Sequence, residues 1–599
     1  MDAFSSSFLS STFTFPSLTT RPPIAPSSLP QIPSLNISAV RIEEKQPQSL
    51  TAETSSQSSK TQVHKPPPPP PRRAALPTRN IPKKGAAEPS LPVTIFNALD
   101  DVINNFIDPP LRSSVDPRYV LSQNFAPVEE LPPTECEVTD GSLPPWLDGA
   151  YIRNGPNPQF LPRGPYHLFD GDGMLHSIRI SQGRAILCSR YVKTYKYTIE
   201  RRAGSPILPN VFSGFNGLTA SAARGALSAA RILTGQFNPV NGIGLANTSL
   251  ALFGGRLYAL GESDLPYSLR LKPDGDIETL GRHDFDGKLV MSMTAHPKVD
   301  PETGEAFAFR YGPVPPFLTY FRFDAQGRKQ PDVPIFSLTS PSFLHDFGIT
   351  KKYAIFADIQ IGMNPVEMVT GGSPVGTVPN KVPRLGIIPR YAKDESEMRW
   401  FNVPGFNIVH SINAWDEEDA IIMVAPNILS VEHTLERLDM IHASVEMVRI
   451  DLKTGMVTRH PLSTRNLDFA VINPGYVGKK NKYVYAAVGN PMPKISGVVK
   501  LDVSQTERKE CIVGSRMYGP GCYGGEPFFV AREPDNPEAE EDDGYIVSYV
   551  HDEKSGESKF LVMDAKTPNL DIVAAVRLPR RVPYGFHGLF VRERDIKGL

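Results

Sequence analysis

The chain has 599 residues and a net charge of −1, from 64 acidic and 63 basic side chains spread along its length; it shows no basic field of the kind that binds nucleic acid. Its four cysteines, Cys136, Cys188, Cys511 and Cys522, are far apart and form no CxxC pair, which argues against a zinc ribbon and a disulfide framework and for a reducing compartment. No apolar run reaches transmembrane length, so contact with a membrane is expected to be peripheral.

Residues 1–50 are rich in Ser and Thr (Ser5–Ser7, Ser10–Thr12), and Asp2 is the only acid before Glu43. That composition reads as an organelle transit peptide with a disordered tail. Residues 51–90 read as a disordered linker whose Pro66–Pro71 tract forms a stiff polyproline II spacer. Order begins near Ser90, and residues 91–599 are expected to form the folded domain.

Pro92 suits the first turn of a helix. From Thr94 to Ile107, Ile95, Phe96, Leu99, Val102, Ile103, Phe106 and Ile107 recur at helical spacing, and Asp108-Pro109-Pro110 stops the run. The polar face carries Asn97, Asp100, Asp101, Asn104 and Asn105 and no Lys or Arg. The apolar face either packs on the domain or dips into a lipid surface. A second helix, from Gly217 to Leu233, is Ala-rich, with Arg224 and Arg231 beside Leu218, Leu227, Ile232 and Leu233.

Short strands dominate the remainder. One pattern recurs: a strand, a turn opened by Asp or Pro-Asp, then another strand. It stands at Ser268–Leu280, Tyr320–Arg328, Met447–Gly455, Val498–Ser504 and Phe560–Lys566. Hairpins repeated over several hundred residues predict an all-β fold of the β-propeller kind. The acidic stretch from Glu533 to Asp543 reads as a solvated hairpin loop.

Four of the twelve histidines share a local setting beside strand or turn residues: Ala295-His296-Pro297, His345-Asp346-Phe347, His410-Ser411-Ile412-Asn413 and Phe586-His587-Gly588. No HxH, HxxxH or HExxH element is present, so spacing alone assigns no metal site. In a propeller the inner strands converge on one axis, and residues far apart in sequence can meet there.

The surrounding segments carry a resemblance. Ala295-His296-Pro297-Lys298-Val299-Asp300-Pro301 is similar to the first ligand segment of the carotenoid cleavage dioxygenases. His345–Thr350 is similar to the second, His410 with Asn413–Glu417 to the third and Tyr584–Gly588 to the fourth. Tyr151–Pro158, Phe169–Met174 and Gly525-Glu526-Pro527 agree, and the match spans roughly residues 115 to 597.

The resemblance implies a seven-bladed β-propeller capped by helices and loops, with His296, His345, His410 and His587 holding one iron(II) and O2 as co-substrate. It places carboxylates behind the imidazoles at Glu262, Asp468 and Glu526. At Asp468 the family pattern is usually glutamate, and the shorter side chain is expected to reach a histidine directly or through water. No acid–base residue beyond the metal centre is required, and no external reductant is needed by electron count, in keeping with the lack of a convincing GxGxxG dinucleotide fingerprint or a P-loop. Phe169, Phe343 and Phe586 flank the matched segments and are candidates to line a hydrophobic substrate tunnel.

Asn466–Asn473 and Asn490–Gly497 look most like the fourth subfamily of plant enzymes. That implies a plastid, plastoglobule-associated protein with a carotenoid or apocarotenoid substrate and a lipid surface as partner. It also implies cleavage at the 9,10 (9′,10′) bond to β-ionone-type and apocarotenal products. The alternatives are a 9-cis-epoxycarotenoid dioxygenase, cutting at 11,12 on the way to abscisic acid, and a non-catalytic carotenoid-binding propeller.

Overall fold

The computed structural model describes residues 91–598, apart from Phe215 and residues 365–372. The expected transit peptide (1–50) and linker (51–90) lie outside the described residues.

The fold is all-β, with antiparallel sheets built as meanders. Four separate four-stranded sheets follow one another along the chain, from Ser249 to Arg282, Lys298 to Ile335, Phe347 to Asn402 and Asn413 to Pro461. The remaining large sheet has fourteen strands, in a path that joins the C-terminal strands to the N-terminal ones with two strands pairing off it. It is continuous because the strand Leu131–Gly141 pairs twice. Its first half pairs with Arg184–Tyr191 and its second half with Ile572–Arg577. The sheets therefore do not by themselves fix a blade number. The last long strand, Gly588–Arg592, pairs with Gly149–Arg153 and closes the ring.

The hairpins have their turn chemistry where the sequence puts it. Between Ala443–Asp451 and Val457–Pro461, the Asp451 carboxylate accepts from the amides of Lys453 and Thr454, and Gly455 takes φ +75°, a left-handed backbone that favours glycine.

Side-chain alternation glues the sheets face to face. Every residue of Ala420–Ile428 is buried. Ile421, Met423 and Ala425 pack with Ile355, Ile387 and Phe401 of the preceding sheet. Ile422 and Val424 pack with Val484, Val499 and Leu501 of the following one. The period of two thus serves two interfaces with one strand, and each of its buried Ile, Val and Met side chains contributes about 1.5–3 kcal/mol.

The acidic stretch is the hairpin loop expected, exposed from Pro534 to Glu538, and departs from expectation only at its end. It lies between Phe528–Ala531 and Gly544–Asp552, and its end turns inward. Glu541 accepts from the backbone amides of Lys482 and Tyr483, and Asp542 pairs with the buried Lys500 at 2.5 Å. These partners lie some 40 to 60 residues away in sequence, beyond the reach of a local charge pattern.

Two helices pack together on the domain. The first runs Leu91–Val102 and continues as a π turn, Ile103–Ile107; the second is Leu218–Leu233. Asp100, Asn104, Asp108, Arg224 and Arg231 face inward, whereas Asn105 is exposed. Arg224 bonds Asp108 and Asn104, and Arg231 pairs with Asp100 and donates to the Ile207 carbonyl. Phe96, Ile103 and Ile107 pack on Ala220, Ala223 and Leu227. The outer stripe is apolar: Leu91, Ile95, Leu99, Val102 and Phe106, with Leu218, Ile232 and Leu233 of the second helix. Phe106 is 82% exposed and Leu233 87%. No helix among the described residues is long and apolar enough to cross a membrane.

Candidate metal centre

Each of the four singled-out histidines stands just before a strand at the edge of its sheet. His296 precedes Lys298–Val299, His345 precedes Phe347–Ile349, His410 precedes Asn413–Glu417 and His587 precedes Gly588–Arg592. Four edges therefore deliver one imidazole each, and one ring nitrogen from every histidine lies within 4.8 Å of the others.

Three of the rings are oriented from behind. The Nδ1 of His345 bonds Glu262, that of His410 bonds Asp468 at 2.8 Å, and that of His587 bonds Glu526 at 2.8 Å. With Nδ1–H donating to a carboxylate, Nε2 keeps its lone pair and points inward. Asp468 reaches His410 directly, with no water between. Among the described residues no carboxylate bonds the His296 ring. Its Nε2 lies 2.9 Å from that of His345.

These donors fit a metal ion. Imidazole–metal bonds of about 2.0–2.1 Å at right angles put neighbouring nitrogens about 2.9 Å apart and opposite ones about 4.2 Å apart. Burial, reinforced by the other three histidines, holds His296 well below the ordinary imidazole range. Burial likewise lowers His587 despite Glu526. Burial would also lower His410, but the Asp468 carboxylate overrides it and raises the imidazole, and His410 in turn keeps the buried Asp468 ionised below its usual value. Imidazole suits several metals, so the donor set alone does not choose iron.

The expected tunnel residues separate. Phe586 lines a small cavity of about 30 Å³ beside Glu526 and Phe469. Phe169 packs against Phe586, centroids 5.4 Å apart. Phe343 lies parallel to the His345 ring at 5.9 Å and edge-on to Tyr311. Other histidines stay outside the cluster: His176 and His551 bond Ser189 and Ser558, and His442 bonds the Thr464 carbonyl.

Two residues escaped the sequence reading. Phe469 places its ring 5.4 Å from both His410 and His587. It does so from a left-handed backbone, φ +47°, at an irregularity in strand pairing. Such strain in a bulky residue gathers at functional sites. Its position directly after Asp468 was the available signal. Tyr311 donates to Glu262 and so stands behind the carboxylate that orients His345; nothing local in its sequence marks it.

Comparison with known proteins follows the same lines. The family model described as retinal pigment epithelial membrane protein matches residues 125–592. The chain belongs to the carotenoid oxygenase family. It is 66% identical over 601 residues, 99% of each chain, to an Arabidopsis thaliana protein named probable carotenoid cleavage dioxygenase 4, chloroplastic. It is 64% identical over 519 residues to a chloroplastic 9-cis-epoxycarotenoid dioxygenase of Oryza sativa subsp. japonica, covering 85% of this chain and 81% of that one. Among solved structures, a Synechocystis apocarotenoid oxygenase superposes with TM-score 0.66 at 26% identity, over 80% of this chain and 100% of that one. The lignostilbene dioxygenase of Pseudomonas brassicacearum shares the fold, with TM-score 0.68 at 24% identity over 79% of this chain and 98% of that one. With this family the chain takes its β-propeller architecture and its place among dioxygenase enzymes.

Proposed function

We propose that His296, His345, His410 and His587 hold one iron(II), and that the protein cleaves a carotenoid or apocarotenoid double bond with O2, at the 9,10 (9′,10′) position. The observation that carries this reading is the convergence of four ring nitrogens within 4.8 Å, three of them backed by carboxylates. When bound, iron(II) supplies coordination positions at which O2 is activated beside a polyene double bond. Both oxygen atoms leave in the two carbonyl products, so the electron count closes without a reductant.

The chain's own part is positioning. Glu262, Asp468 and Glu526 fix ring orientation and raise ligand basicity. Phe469 and Phe586 present apolar surface beside the cluster and hold one bond of the substrate over it, with Phe169 supporting Phe586 from behind. The outward apolar stripe of the two helices suits extraction of an insoluble substrate from a lipid phase. Chloroplastic relatives and the acid-poor leader support a plastid location, at plastoglobules.

For the bond, support comes from the likeness to the fourth subfamily and from relatives named as 9,10(9′,10′)-cleavage dioxygenases, such as one of Arabidopsis thaliana at 40% identity. The 64% identity to a protein named as a 9-cis-epoxycarotenoid dioxygenase favours 11,12 cleavage as the second reading. Incubating the iron-loaded protein with β-carotene, an apocarotenal and 9-cis-violaxanthin, with products identified by mass, separates them. We expect β-ionone. Products of 11,12 cleavage from the epoxycarotenoid support the second reading, and no product from any substrate overturns both.

A further inference from the structure

Asp346 is a buried carboxylate one residue after a candidate ligand, and its charge is fully engaged without reaching the ring cluster. Its Oδ1 accepts from the Phe347 amide at 2.7 Å and pairs with the Lys298 ammonium at 2.7 Å. Its Oδ2 accepts from the Ser411 amide at 2.8 Å. Lys298 also reaches the Ser411 carbonyl at 3.4 Å.

The sequence positions of these partners give the contact its meaning. Lys298 lies two residues after His296, Phe347 two after His345, and Ser411 one after His410. The three segments lead into edge strands of three different sheets, and those sheets share no strand ladder. One carboxylate therefore ties three separate sheets together at the level of the imidazoles. Ligand nitrogens must hold their spacing to within a few tenths of an ångström for a metal to find its preferred geometry, and face-to-face packing of apolar side chains tolerates larger shifts than that.

The arrangement also answers how His296 is held. The rings of His345, His410 and His587 each have a carboxylate behind them, and Glu526 in addition takes the Gly588 amide at 2.8 Å. His296 has none among the described residues. Its placement comes through its backbone. The Thr294 hydroxyl accepts from the His296 amide and donates to the His345 carbonyl, and Lys298 is drawn to Asp346.

We propose that Asp346 and Lys298 form a positioning pair that sets the mutual spacing of His296, His345 and His410, and so governs how tightly and in what geometry the metal is held, without touching it. This rests on the reading that the four histidines bind a metal. The pair is electrostatic in origin. A neutral amide at 346 can still accept from Ser411 but cannot hold the ammonium, and a methionine at 298 keeps the length and apolar stem of the lysine without its charge.

The test compares the wild-type protein with Asp346→Asn, Lys298→Met and the double variant. Each is loaded with iron(II) for chelator-driven metal loss and with cobalt(II) for its visible absorption, and each apoprotein is melted. We expect Asp346→Asn to lose iron about 10- to 100-fold faster, the usual size for an outer partner of a ligand, with shifted cobalt bands. Lys298→Met should change both in the same sense by less. The double variant should be no worse than Asp346→Asn alone, because the lysine acts through the carboxylate. Folded single variants with wild-type metal loss and wild-type cobalt bands overturn the proposal. So does faster loss that merely follows a lower apoprotein melting temperature with unchanged bands, which marks general packing. If Asp346→Asn does not fold, Lys298→Met, whose side chain is partly exposed, decides by the same readouts. A wild-type protein that holds no metal would instead overturn the four-histidine reading, and this one with it.

Discussion

His345, His410 and His587 each commit one ring nitrogen to a carboxylate, which leaves the other with nothing to bond but an electrophile or a proton. At His296, burial opposes any proton that would charge the ring, and the three neighbouring imidazoles do the same. A metal resolves both costs. His345→Ala should therefore abolish cleavage and sharply lower bound iron, measured by metal analysis on the folded variant, and His442→Ala, whose ring sits outside the cluster, should change neither. The outer carboxylates allow a sharper comparison. Asp468 and Glu526 stand at the same 2.8 Å from their histidines. Glu526→Gln and Asp468→Asn should then cost similar factors, about 10- to 100-fold in iron retention or activity. A much smaller loss at Asp468 would show that the shorter acid contributes less than its distance suggests. None of this was legible from histidine spacing, because the four positions belong to four different sheets and their intervals carry no period. Only the local segments around each histidine, matched to a family, singled them out. Tyr311 and Phe469 stayed hidden for the same reason: their partners are distant in the chain.

At the scale of elements, both helices and the turn-closed hairpins were readable because their signals are local: a period of 3.6, a proline stop, an aspartate opening a turn. Which side of the first helix faces out was not. Asp100, Asn104 and Asp108 find Arg224 and Arg231 more than a hundred residues away, and those contacts pull that side in. Its apolar residues divide in consequence, Phe96 inward against the second helix and Phe106 outward. The two phenylalanines should respond differently to the same change. Phe106→Glu should leave the circular dichroism spectrum and melting temperature as they are and weaken sedimentation with liposomes. Removing one buried Phe from a lipid phase is worth about 1.5–3 kcal/mol, or roughly tenfold or more in partitioning. Phe96→Glu puts a charge into the helix–helix contact and should lower the melting temperature. Undiminished liposome binding by folded Phe106→Glu would leave the outward stripe without a lipid role.

For the molecule as a whole, closing the ring and completing the proposed ligand set are one structural event. The closing strand Gly588–Arg592 begins at the residue after His587, and Glu526 holds both the His587 ring and the Gly588 amide. On its other side the same segment is fixed to Gly149–Arg153, with Asn154 donating to the His587 carbonyl. A metal bound by His587 thus stabilises the pairing of the first and last parts of the chain, and by linkage that pairing stabilises the metal. Stripping the metal should raise the melting signal's sensitivity to the C-terminus before it affects the middle of the chain. Hydrogen exchange reads this directly. On chelation, amides of Gly588–Arg592 and of Gly149–Arg153 should exchange faster, and those of Ala443–Asp451, which pairs with neither and is separated by a whole strand from the segment that carries His410, should keep their protection. Uniform loss of protection across all three strands would mean that the metal supports the whole propeller equally. Unchanged exchange at Gly588–Arg592 would mean that strand pairing holds the ring shut without help from the centre.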